Sequence, residues 1–306
     1  MIADGGHSAA GLAVTLVMLA AVATLLAVML FVLRRELSAA ASRRRPSQAS
    51  AGWAGIRARM RRAARPTLLL VPAREPGFSK VGGLPELPAC VGWPTGDLGP
   101  RIFVAQIDLA AFQPHVQLDW LPSEGRLYAF FDEERNGCPD VVRILYALEP
   151  PGPPAEPPQP APKKWRFEER RVGFMKFNSV PSPDWFEVDY ATLGDQLDDE
   201  AWSTFEDCDL GEEIEHRIGG YPTEIQGGQM ALECEYMRRG LTRDYNDDVP
   251  DAIRRAAREW RLLLQIDSDP ALNMNWWDGG RLYVFVRAKD AARGDFSKTV
   301  TITQTH

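Results

Sequence analysis

Two stretches of this chain carry an amide and a carboxylate two residues apart: Gln106 with Asp108, and Gln265 with Asp267. At the period of a strand each pair shares one face. Aimed into a common cleft, the two faces would bind a polar ligand. A glutamine inside an apolar strand must also be hydrogen-bonded, because an unpaired buried group costs about 1–3 kcal/mol. Each glutamine can therefore instead tie its strand to neighbouring backbone, with each aspartate capping a turn. The second pair is extended to Asp267-Ser268-Asp269, where the first continues as Asp108-Leu109-Ala110. Carboxylates so spaced could hold a divalent cation, or serve as acid and base with Gln265 positioning a substrate. Trp276, Trp277 and Asp278 follow closely, a recognition surface if exposed and core if buried.

Other chemistry is sparse. There is no Walker loop, zinc-protease motif or CxxC pair. Of four histidines, His7 and His306 lie near the ends, leaving His115 and His216. A histidine beside a glycine turn with few partners reads as a surface or capping residue rather than a base. No cofactor is implied, and whether the aspartates take a metal stays open.

The elements that position these residues are written twice. Lys80-Val81-Gly82-Gly83-Leu84-Pro85 returns as Arg217-Ile218-Gly219-Gly220-Tyr221-Pro222. Phe103 to Asp108 returns as Leu262 to Asp267, and Gly125 to Phe130 as Gly280 to Phe285. The order implies a duplicated unit, with a first copy over about 79–148 and a second over about 216–303. Gly83 to Gln106 spans 23 residues and Gly220 to Gln265 spans 45, so the second copy carries an insertion. Strands are expected at 102–109, 127–131 and 141–148, and again at 262–267, 282–286 and 299–303. Helices are expected at 195–205, 229–239 and 251–260. Between the copies, Pro150 to Pro162 holds eight prolines and reads as an extended loop. The fold class expected is α+β: two antiparallel β-meander repeats with pseudo-two-fold symmetry, flanking helices, and an N-terminal transmembrane helix.

That helix is expected at 9–33, an uncharged run of 25 residues after a short segment 1–8, against the roughly 20 residues that cross a bilayer core. Arg34, Arg35, Arg43, Arg44 and Arg45 follow it, which places the C-terminal domain in the cytoplasm. Four cysteines without paired spacing fit a reducing compartment. Residues 34–66 form a basic stalk in which Trp53, Ile56, Met60 and Ala64 recur near helical spacing among arginines. Such a stalk can lie on anionic membrane lipid or serve as a solvated tether. Residues 1–66 carry a net charge of +8, which leaves −15 for the domain at 67–306. An acidic domain argues against a nucleic-acid partner. Ten acids between Asp195 and Glu215 could draw a basic partner, or simply keep a helix face solvated.

The combined pattern resembles the YwqG-like family. The resemblance rests on Gly82-Gly83-Leu84-Pro85 with Trp93-Pro94, on Ala105-Gln106-Ile107-Asp108, and on Gly219-Gly220-Tyr221-Pro222 with Ile225-Gln226. It continues through Leu263 to Asp269, Trp277 to Tyr283, and Asp295-Phe296-Ser297, covering about 78–298. It implies a bacterial domain of unknown function with a duplicated α+β fold, and supplies no catalytic residues; with the anchor, the inner membrane is the expected location. Two readings of function follow. One is a tethered, non-enzymatic module for a protein partner, in the manner of an immunity protein or inhibitor. The other is an enzyme, or a binder of a small ligand or metal, working through a cleft between the copies.

Overall fold

The computed structural model describes residues 58–75, 77–97, 99–161, 166–183, 185–187, 205, 215–244 and 248–306. Twelve strands alternate with short turns. They are β1 (Arg65–Pro72), β2 (Lys80–Val81), β3 (Thr95–Gly96), β4 (Gly99–Pro100), β5 (Ile102–Asp108), β6 (Arg126–Phe131), β7 (Val142–Ala147) and β8 (Arg170–Ser179) in the first half. The second half has β9 (Arg217–Gly219), β10 (Trp260–Asp267), β11 (Arg281–Arg287) and β12 (Val300–Gln304). Residues 58–63 are helical, and further helices are α1 (Met230–Arg238), α2 (Asp251–Ala257) and the single turn α3 (Ala288–Ala291).

Ten of the strands form one antiparallel sheet in the order β12-β11-β10-β9-β1-β8-β2-β5-β6-β7, while β3 and β4 pair separately. From the central β1–β8 pair outward, each side runs through a short strand and then a three-stranded meander. The match extends to irregularities: β5 and β10 each break register against the next strand, at Phe103/Ala105 and at Leu262/Leu264. The two edges of the sheet approach each other. Thr301 of β12 donates its N–H to Pro139 O at 2.8 Å, just ahead of β7. The rings of Tyr146 and Phe296 lie 5.4 Å apart across the same seam. The sheet is thus a nearly closed barrel, which removes most of the unpaired backbone that an open edge would present.

Its interior is one apolar cluster drawn from both copies, including Leu68, Val81, Ile107, Ala129, Ile218, Leu264, Ile266 and Val284. The outer face is covered as well. Loop residues Leu87 and Trp93 lie on Phe103, Tyr128 and Phe130; α1 brings Met230 and Cys234 onto Leu262, Phe285 and Ile302. Burial on both faces explains why these strands read as continuous apolar runs rather than alternating ones. The proline-rich segment lies against 85–87, with Gly152 N–H donating to Leu87 O and Ala155 N–H to Pro85 O.

The expected α+β class is overturned. Two meanders are present, but β1 and β8 fuse them into a single sheet, and the helices are few and short. Both bridging strands lie outside the repeated blocks, and β1 begins in the stretch read as stalk. Met60 is buried and Tyr221 Oη donates to Ala63 O at 2.9 Å, so residues 58–66 pack with the compact unit. Among the described residues no helix is long and apolar enough to cross a membrane. The transmembrane helix expected at 9–33, and the helix at 195–205 apart from Phe205, lie outside the described residues.

Candidate functional site

Gln106 and Gln265 are fully buried and do the same task in the two copies. Gln106 donates Nε2–H to Phe78 O at 2.8 Å, and its Oε1 accepts from Glu86 N at 2.9 Å. Gln265 donates to Glu215 O at 3.0 Å and accepts from Thr223 N at 3.0 Å. Phe78 and Glu86 precede Glu215 and Thr223 by the same offset as Lys80 precedes Arg217. Each amide therefore closes the loop around its glycine pair. Tyr128 Oη and Tyr283 Oη add matching bonds to Glu86 O at 3.0 Å and Thr223 O at 2.6 Å. Burial pushes the Tyr128 hydroxyl up to about 12 and the Tyr283 hydroxyl upward as well. Asp108 Oδ1 caps the turn at Ala110 N, 3.1 Å away.

The second copy elaborates this plan into a buried ionic cluster. Where Ser79 Oγ accepts the N–H of Asp108, His216 Nδ1 accepts that of Asp267, at 2.9 and 3.1 Å. A neutral imidazole so held carries its proton on Nε2, which lies 3.4 Å from Asp269 Oδ2. Asp269 also binds Arg170 and caps Ala271 N at 2.9 Å. His216 foremost, with Arg170 beside it, holds the Asp269 carboxyl down at about 2 against the opposing effect of burial. Asp267 accepts from Gln265 Nε2 and Glu215 N, both at 2.9 Å, and pairs with Arg281 Nε at 3.0 Å. Burial nonetheless dominates there and raises the Asp267 carboxyl. Glu215 pairs with Arg217, whose guanidinium lies over the Phe177 ring.

This arrangement locks groups rather than presenting them. Both imidazole nitrogens of His216 face protein, so of the surface or capping role expected it takes the second, as a buried counterpart of Ser79 that accepts a backbone N–H. Every oxygen of Asp267 and Asp269 already meets a donor, and the donors include two guanidinium groups that fill the positions a cation would need. Among the described residues no cluster of three or more acids, histidines or cysteines has metal-binding geometry. Trp276 is buried and Trp277 half-buried, with Phe131 4.9 and 5.8 Å from them. Asp278 is exposed and accepts the N–H of His306. The structure brings Gln265, Asp267 and Asp269 together, leaves Gln106 and Asp108 in the other copy, and sets Trp277 and Asp278 apart from both groups.

Open space lies elsewhere. A groove of about 520 Å³ is lined by Arg65, Leu118, Trp120, Gly220, Arg261 and Ala288, among others. It exists because β9 is short. Gly219 and Gly220 both take positive φ and turn the chain away, so among the described residues no strand continues between β1 and β10 beyond Gly219. Pro66, which has no N–H to offer, sits in β1 where that partner is missing. Arg65 pairs with Glu187 at 2.8 Å and lies 4.3 Å over the Tyr221 ring. Arg261 Nη1 donates to Arg258 O and Trp260 O at 2.6 and 3.0 Å.

A family model described as a domain of unknown function, DUF1963, matches residues 79–304. The chain belongs to the DUF1963 family. The match takes in both copies, the bridging strand β8 and the ionic cluster, and it starts at Ser79, after Arg65 and β1. Among curated proteins nothing matches the chain. The groove residues of this DUF1963 protein were not singled out from sequence. Arg65 lay within a run of arginines read as stalk, and Arg261 fell between the helix expected to 260 and the strand expected from 262; Glu215, His216 and Arg217 were legible only through the offset that pairs them with Phe78, Ser79 and Lys80.

Proposed function

We propose that this protein is a YwqG-like, non-enzymatic binding module that takes its ligand in the groove between the two copies. One observation carries the reading. The polar groups that could have formed a catalytic centre are consumed in holding the glycine loops, while the groove is lined by Arg65, Arg261, Asp119 and Gln117 beside Trp120, Leu118 and small residues. Concave sites that combine apolar surface with a few placed polar groups are typical of small-ligand recognition. A protein partner can use the same groove by inserting a side chain or a chain end, which keeps the interaction-module reading within this proposal.

The test is a thermal-shift screen of the full chain against metabolites and peptides, followed by hydrogen exchange on the hits. Binding in the groove slows exchange at 117–120 and 288–292. Hits that instead protect 265–269, and that vanish in an Asp269→Asn variant, would overturn the proposal in favour of chemistry at the ionic cluster.

A further inference from the structure

The two copies differ at one pair of register positions, and the difference specifies a ligand. Val81 lies opposite Arg170 of β8, and its equivalent Ile218 lies opposite Leu68 of β1, so three residues earlier on each of those segments Phe167 and Arg65 correspond. Gln106 of β5 and Gln265 of β10 are equivalent, so four residues earlier Ile102 and Arg261 correspond. Arg65 thus corresponds to Phe167, and Arg261 to Ile102.

The first copy seals its gap with these residues. Phe167 and Ile102 are 2% and 4% exposed. The Phe167 ring packs 5.4 Å from Trp276, which the second copy contributes, and Glu168 N–H bonds to Leu272 O across the same junction. In the second copy the reciprocal loop contributes Trp120, which stays half-buried beside an open groove. The flanking apolar pair is replaced by two guanidinium groups, brought close enough that Arg65, after burial itself, depresses the basicity of Arg261. Glu187 answers Arg65. Glu187 and Glu259 also act on Arg261 and Asp119 lines the same groove, but among the described residues no carboxylate forms an ion pair with Arg261. Two like charges at a partly dry site favour a counter-anion, because an opposite charge offsets both repulsion and desolvation.

From this we infer that the groove binds a small anion, a carboxylate or phosphate on a flat apolar body, with Arg261 holding the charge and Trp120 the ring. This rests on the groove being the ligand site. Where the first copy fills the gap with its own Phe167 against a tryptophan, the second leaves room for an external flat group against Trp120. The anionic end then meets arginines at the positions that the first copy gives to apolar side chains. Beside residues 67–306, whose net charge is −15, such a cationic spot also selects against neutral analogues of the same shape.

Three probes test it on the full chain by titration calorimetry: benzoate, phenyl phosphate and neutral phenol. Benzoate, phenyl phosphate or both should bind at least about tenfold more tightly than phenol, the scale of one charge-assisted hydrogen bond. Binding of benzoate alone would assign a carboxylate, and of phenyl phosphate alone a phosphate. Arg261→Gln should remove that preference and Arg261→Lys should recover part of it, while Trp120→Ala should weaken all three probes. If phenol binds as well as the anions, and Arg261→Gln changes nothing while Trp120→Ala abolishes binding, the anion inference falls and the groove reading stands. If an anion binds and neither variant affects it, the site is elsewhere and both fall. Absence of binding by all three probes at millimolar concentration overturns the anion inference alone.

Discussion

Replacing Gln106 by leucine removes a side chain whose two bonds join β5 to the loop around Gly82 and Gly83. The change leaves Glu86 N with no partner and Phe78 O with only the Arg171 Nη1 contact at 3.4 Å, at about 1–3 kcal/mol for a stranded group. A leucine of similar length regains part of this by apolar burial, and a net loss of about 1–3 kcal/mol is expected. The same change at Gln265 strands three groups, Thr223 N, Glu215 O and Asp267 Oδ1, while Thr223 Oγ1 keeps its bond to Glu215 Oε2 at 3.1 Å. One belongs to a buried carboxylate that burial already strains. Gln265→Leu should therefore cost more than Gln106→Leu, by about 1–3 kcal/mol. Urea unfolding of the two variants beside the parent measures both values, with the denaturant slope serving to check that the same surface unfolds. A Gln106→Leu protein within about 0.5 kcal/mol of the parent, inside the usual range of surface substitutions, would refute the claim that these amides are folding devices. Equal losses at the two sites would refute the claim that the second copy has built a network on the shared plan.

Two further perturbations follow from the geometry. Gly220→Ala should be severe, because at φ +71° its Cβ would lie 1.9 Å from Thr67 Oγ1 and 2.3 Å from Ser179 Oγ, two hydroxyls bonded to each other at 2.7 Å. Gly279→Ala has a similar φ of +63° but meets nothing nearer than 3.6 Å, so it should cost only the left-handed backbone term of about 1–2 kcal/mol. Comparable melting temperatures for the two variants would contradict this. Asp269 is held at about 2, below its ordinary 3.8. Its contribution to stability is thus fully present above pH 3.8 and is lost as pH falls from there towards 2, amounting to about 2 kcal/mol. Asp269→Asn should flatten the acid limb of the stability profile over that window; an unchanged limb would show that another group carries it.

Much of the strand pattern was open to reading because the repeat doubles every signal. Gly-Gly followed by Gln-x-Asp and Gly-Arg-Leu-Tyr marks β2, β5 and β6, and the same residues mark β9, β10 and β11. The joining of the copies was not legible. β1 and β8 occur once each, outside the repeated blocks, and β1 starts at Arg65, where composition suggested a basic stalk. The site was half legible for a related reason. Gln-x-Asp was correctly seen as a pair of same-face polar groups, but sequence could not say that Phe78, Glu86, Glu215 and Thr223 would meet the amides. Those partners are backbone atoms, and backbone atoms leave no trace in residue type. Sequence left His216 as a surface or capping residue and could not choose, because its partners, Asp267 and Asp269, come from about 50 residues away.

Duplication explains why the ionic cluster and the groove occur together in the second half. A folding unit that closes its glycine loop through a glutamine can do so without a histidine there, as the first copy demonstrates with Ser79 in the place of His216. Arg217 matches Lys80, which is itself buried and paired with Glu86 and Glu169; the additions at His216 and Asp269 supply no open chemistry, but they tie β9 to β10 and to Arg170 of β8 through buried charge. That bracing bears on the stretch where β9 stops early and leaves the space between β1 and β10 unfilled. At the corresponding junction Phe167 packs on Trp276 from the second copy, and the first copy keeps ionic ties of its own, from buried Lys80 to Glu86 and Glu169. An open groove between strands loses that packing, and the cost falls on the copy that keeps it open. The second copy carries both the vacancy and the reinforcement, and a vacancy so supported is better explained as a binding site than as a packing defect.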